Sequence, residues 1–165
     1  MEILQYLEQT ALATFIRESS SYLGFPTFLF LHTLGLSILV GANSVVAIRV
    51  LGVASSIPLK PLQRLYPFMW IGFVLTVISG LGLGIAAATT RLVNPILLFK
   101  LAMIAIATPI MRMMEKKVFS SPSGLKEVDP QAGKAMAAAL LALWTIIMIA
   151  GRLIAYSATI LHTRR

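Results

Sequence analysis

Four stretches of the chain are apolar almost without interruption, at about 26–50, 68–88, 95–114 and 135–156. Each is long enough to cross a bilayer, for which ~20 apolar residues suffice. In hydrocarbon only a helix satisfies its own backbone polar groups within one segment. The pattern therefore predicts an all-α integral membrane protein. Short connections make sequential spans antiparallel, so a four-helix bundle over about 25–160 is the expected architecture.

The polar segments between the runs differ in kind. GVASSIPLKPLQRLYP carries three prolines and reads as ordered but irregular. RLVNP is a tight turn, with Pro95 placed to start the next helix. KKVFSSPSGLKEVDPQAGK is the longest polar segment and is expected to be mobile. Ahead of the first span, Ile3, Leu4, Leu7, Ala11, Leu12, Phe15 and Ile16 recur at helical spacing, with Glu2, Glu8 and Arg17 largely elsewhere. This predicts an N-terminal amphipathic interfacial helix over 2–18, within a segment 1–24, lying on the membrane surface or against a partner. SSSYLGFP breaks it before Pro26, and a basic tail, 161–165, ends the chain.

Composition agrees with the hydropathy. Of 165 residues 58% are hydrophobic and only 12% charged, where soluble domains carry about a quarter charged. The absence of cysteine excludes disulfides, iron–sulfur clusters, thiolate metal sites and thioether-attached haem. The N-terminus opens acidic, unlike a signal peptide. A net charge of +8 raises the question of nucleic acid. In a membrane protein basic loops that set orientation are the simpler explanation, so no nucleic-acid partner is expected. Arg49, Lys60, Arg64, Arg112, Lys116, Lys117, Lys126 and Lys134 flank the first and third loops, against Arg17, Arg91, Arg164 and Arg165 on the other side. The excess predicts an inner-membrane protein with both termini periplasmic.

None of the six acids falls inside a span, which weakens a proton- or sodium-coupled transporter, since such proteins place a carboxylate at membrane depth. No serine–histidine–aspartate set is apparent, and an independent enzyme is not expected. What lies inside is basic. His32 sits ~9 Å along the first span from its outer end, at 1.5 Å per residue. Lys100 and Arg152 lie about five and four residues from the outer ends of the third and fourth spans, near the same depth. Gly80, Gly82 and Gly84 fall near that layer and leave room for a flat ligand or for close helix packing. Charge at this depth is costly unless paired, so an anionic ligand is a natural complement. Haem b is one candidate, with His32 as its metal ligand, Lys100 and Arg152 on its propionates, and Met103 or Met148 as a further ligand. A quinone or an anionic lipid is another. Against these stands a plainer account: His32 as a hydrogen-bonded packing residue, with Lys100 and Arg152 snorkelling to headgroups. On the first helix His32 shares a face with Gly35, Leu39 and Asn43, expected to point inward, while Ser37, Gly41 and Ser44 form a separate small-residue face for helix packing.

The run HTLGLSILVGANSVVAIRVLG, the later ISGLGL and the entry NPILLFK resemble a family of small bacterial four-helix inner-membrane proteins of uncharacterised function. That pattern joins a histidine–glycine first helix, a glycine-bearing second helix and an asparagine–proline start to a lysine-bearing third. Leu29 and Ala47 stand here where acidic residues are frequent in it. More distantly the arrangement is similar to the membrane protoporphyrinogen oxidase and copper-resistance membrane families. The former implies b-haem chemistry for His32 and Lys100. Together these readings lead to the expectation of a small subunit of a respiratory or photosynthetic electron-transfer assembly, in contact with lipid and other membrane subunits. It would carry an outer-leaflet pocket for haem b or quinone. A structural or accessory subunit without a redox cofactor is the alternative.

Overall fold

The structure, a computed structural model, describes residues 2–19, 22–53, 55–119 and 130–163. Two short helices, α1 (Glu2–Glu8) and α2 (Ala11–Glu18), precede α3 (Phe25–Leu51). A 3-10 turn (Lys60–Arg64) leads into α4 (Leu65–Ile85), followed by the single turn α5 (Ala88–Arg91), α6 (Pro95–Met114), a π-turn (Glu115–Phe119) and α7 (Pro130–Thr163). Among the described residues there is no strand, and four helical segments are long and apolar enough to cross a membrane: Phe25–Leu51, Lys60–Ile85, Pro95–Phe119 and Gln131–Ile154. The protein is an all-α membrane helical bundle.

The helix ends follow from their residues. Pro26 opens α3, and Gly52 closes it in the left-handed region at φ 95°. There the amides of Gly52 and Val53 return to the carbonyls of Arg49 and Ile48, a Schellman ending that only glycine enters without strain. Arg49 then donates to the carbonyl of Ile57 and ties down the loop that follows. Asn94 caps α6, accepting from the amide of Ile96 at 2.9 Å, with Pro95 at its first turn. The expected amphipathic helix is broken in two. The Thr10 hydroxyl donates to Leu7 O at 2.7 Å and accepts from the amide of Ala13, so a local cap competes with continuation of the helix. The third loop, at 120–129, and Arg164 and Arg165 of the expected tail lie outside the described residues, as does the His162 side chain.

α3 packs against α4 on one side and α7 on the other, and α7 packs against α6. The apolar core occupies the end nearer the first loop, called inner here: Leu39, Val46, Met69, Met111, Met114, Leu140, Trp144 and Ile147 are all essentially buried. At that end the π-turn after α6 reaches α4, where the rings of Tyr66 and Phe119 meet edge-on at 5.3 Å. Towards the outer end backbone proximity replaces side-chain interdigitation. A Cβ on Gly35 would lie 2.8 Å from Gly72 O, and one on Gly72 would lie 2.8 Å from Gly35 O. Only a glycine pair lets α3 and α4 approach this closely.

α1 and α2 close over the outer end of α4. Ala13 and Ile16 are fully buried, and Glu8 accepts from the Thr89 hydroxyl at 2.6 Å and the Thr89 amide at 3.2 Å. Arg17 pairs with Glu8 at 3.5 Å and donates to Ala86 O at 3.4 Å. Part of the amphipathic segment thus packs on the chain itself. Ile3 and Tyr6 remain exposed on α1.

Candidate functional site

His32 lies on α3 one turn before the Gly35–Gly72 approach, and that approach brings its ring to α4. Its Nδ1 is 3.0 Å from Thr76 O and 3.3 Å from Ser79 Oγ. A carbonyl only accepts, so Nδ1 carries the proton and the lone pair of the neutral ring sits on Nε2. Ser79 is fixed in turn by donating to Leu75 O at 2.6 Å. Nε2 makes no hydrogen bond among the described residues. This is how a second partner fixes the tautomer of a histidine whose other nitrogen takes a ligand or accepts a proton.

The space at Gly80 belongs to this imidazole: a Cβ there would stand 2.9 Å from His32 Cε1. One turn outward the ring of Phe28 fills the corresponding space at Gly82, 2.5 Å from a Cβ position. The sequence left two uses open for these glycines, and in the structure they admit aromatic side chains of α3. Gly84 faces elsewhere, towards Leu92 in the α4–α6 connection.

Lys100, 9% exposed, is the one buried cation among the described residues. Its Nζ lies beside Gly151 of α7, 3.4 Å from where a Cβ would stand. It makes neither an ion pair nor a hydrogen bond among the described residues. Isolated charge at membrane depth points to a polar or anionic complement.

Not every expected member joins this pair. Arg152 is exposed; because Gly151 faces Lys100, the next residue turns ~100° away around the helix. Met148 is 50% exposed on the lipid-facing side of α7, and Met103 packs half-buried against the inner core. The shared depth was a matter of helical rise, whereas the shared site required a common azimuth that Arg152 and Met148 lack. Thr76, Ser79 and Gly151 belong to the site and were not anticipated. Gly72, Thr76 and Ser79 recur at i, i+4 and i+7, the spacing of one helix face, and that small-polar stripe was the available signal. On α3 the inward face is as expected, with Gly35, Leu39 and Asn43 buried. The small-residue face does not pack on a helix as expected: Ser37 and Gly41 are exposed, with nothing within 4 Å of a Cβ at Gly41.

No group of three or more histidine or acidic side chains among the described residues is arranged to hold a metal ion. No protein-family model, curated protein or solved structure matches the chain.

Proposed function

We propose that this chain is a small multi-pass subunit of a bacterial membrane electron-transfer assembly, respiratory or photosynthetic, whose outer-half site takes the headgroup of a quinone. The supporting observation is that one acceptor and one buried cation, each without an acid partner among the described residues, lie in the outer half of the bundle. His32 offers a fixed Nε2, and Lys100 offers an ammonium with no acid beside it. A quinone supplies two-electron, two-proton chemistry. Lys100 would donate to a ring oxygen, and His32 Nε2 would accept from a hydroxyl of the reduced form. Both termini then face the periplasm, since the basic first and third loops mark the cytoplasmic side.

Haem b fits these residues less well. His32 Nε2 would supply one nitrogen ligand, but Met148 is exposed and Met103 packs half-buried against the inner core. The glycine gaps that would admit a flat macrocycle already hold the rings of His32 and Phe28.

The test is the content of the purified chain. Solvent extraction should release stoichiometric quinone from the wild type and little from Lys100→Met or His32→Ala. A wild type without quinone, or variants that retain it, refutes the assignment. A b-type band in the reduced-minus-oxidised spectrum that disappears in His32→Ala replaces quinone by haem. The Gly35–Gly72 approach favours a second reading, a structural subunit with His32 as interhelical packing. It predicts normal assembly and unchanged cofactor content in both variants.

A further inference from the structure

The inner end of the bundle gathers cations from two regions distant in sequence. The 3-10 turn Lys60–Arg64 packs against the π-turn Glu115–Phe119, sealed by the buried side chains of Leu62, Tyr66 and Val118. Lys60 and Arg64 project from the first turn, Lys116 and Lys117 from the second, and Arg112 from the last turn of α6; all are exposed. Arg112 stacks over the ring of Trp70 at 4.5 Å, and Trp70 Nε1 donates to Glu115 Oε2 at 3.4 Å. No ion pair neutralises any of these cations among the described residues.

The patch lies where two apolar spans, Lys60–Ile85 and Pro95–Phe119, have their inner ends. Clustered lysine and arginine beside an amphipathic indole at that level meet the headgroup layer of the bilayer. We infer that this patch is a binding site for an anionic phospholipid, with its phosphate held between Arg112, Lys116 and Lys117 on one side and Lys60 and Arg64 on the other. The lipid bridges the ends of α4 and α6, two helices that otherwise meet through few side chains. An acidic protein segment would need the same charges, but the position at the ends of the spans favours a ligand already in the membrane.

Trp70 is the natural reporter. The full chain, as Trp144→Phe, is reconstituted in phosphatidylcholine vesicles containing equal fractions of dibrominated phosphatidylglycerol or dibrominated phosphatidylcholine. Bromine quenches indole fluorescence only at close range. Each headgroup-level basic residue contributes about a five-fold preference for anionic lipid, so quenching by the glycerol lipid should exceed that by the choline lipid at least about five-fold in relative association. Added salt should weaken it. The preference should vanish in Lys60→Gln/Arg64→Gln/Lys116→Gln/Lys117→Gln, which leaves Trp70 and Arg112 intact, and survive in Arg152→Gln at the opposite end. Equal quenching by both lipids overturns the proposal, as does an equal loss in Arg152→Gln. Displacement of the lipid by soluble polyglutamate would reassign the patch to an acidic protein partner. Should Trp144→Phe fold poorly, the wild type serves, because buried Trp144 adds the same background with either lipid.

Discussion

Replacing Gly35 by alanine tests the approach on which the site rests. The new Cβ would lie 2.5 Å from Thr76 Oγ1, 2.8 Å from Gly72 O and 2.9 Å from Thr76 N. The hydroxyl can rotate away, but the two backbone atoms cannot. Relief requires α3 and α4 to part by roughly 0.7 Å, taking the 2.8 Å contact to the ~3.5 Å at which packing becomes favourable. A gap of that size forfeits roughly a quarter to a half of the dispersion attraction across the seam. Overpacking costs about 1–3 kcal/mol in general, and the backbone clashes put this case near about 3 kcal/mol. The better helix propensity of alanine offsets about 1 kcal/mol, leaving a net loss of about 2 kcal/mol. The same displacement stretches the 3.0 Å His32–Thr76 hydrogen bond to about 3.7 Å, beyond useful range. Equilibrium unfolding by SDS in mixed micelles, followed by circular dichroism, measures the loss. Gly41→Ala is the control, since nothing lies within 4 Å of its Cβ position; it should be neutral or stabilising by up to about 1 kcal/mol. If Gly35→Ala and Gly41→Ala unfold alike, the glycine seam is not what holds α3 against α4.

The Glu8 carboxyl is held below the ordinary carboxylate range by the Thr89 hydroxyl first, with the Thr89 amide and Arg17 adding and burial opposing. A depressed pKa contributes stability that is present above the ordinary range and lost as pH falls through the folded value. A spin label at Tyr6→Cys should therefore gain mobility as pH drops below the ordinary carboxylate range, and Glu8→Gln should show that mobility already at neutral pH; a label indifferent to both contradicts the clamp. Asn43 is 1% exposed, and neither amide atom has a hydrogen-bond partner among the described residues. Asn43→Leu should accordingly stabilise the bundle by about 1–2 kcal/mol in the same SDS titration, whereas a loss would mean the amide is satisfied in the bilayer.

The parts readable from the residues alone were those governed by one helix at a time. Run length and hydropathy specify the spans, because the bilayer sets both independently of neighbours. Asn94–Pro95 specifies a helix start because its capping bonds are local. His32 and Lys100 stood out because an ionisable group at membrane depth needs a partner wherever the helices lie. Even locally there was a limit: one amphipathic period runs straight through Thr10, and only the hydroxyl's competing hydrogen bonds reveal the break.

What needed the tertiary structure was azimuth and distance. Helical rise put Arg152 level with Lys100, but only the packing of α6 on α7 decided that Gly151 faces the amine and Arg152 faces out. The glycines of α4 admit either an open slot or a tight seam on sequence grounds, and in the structure the rings of His32 and Phe28 fill the space at Gly80 and Gly82. The cations at 60–64 and 112–117 became one patch only when the two turns met. Sequence spacing carries the position of a residue along and around its own axis. The rotation of one axis against another is set by the summed contacts of both helices, and no single stretch of chain contains it.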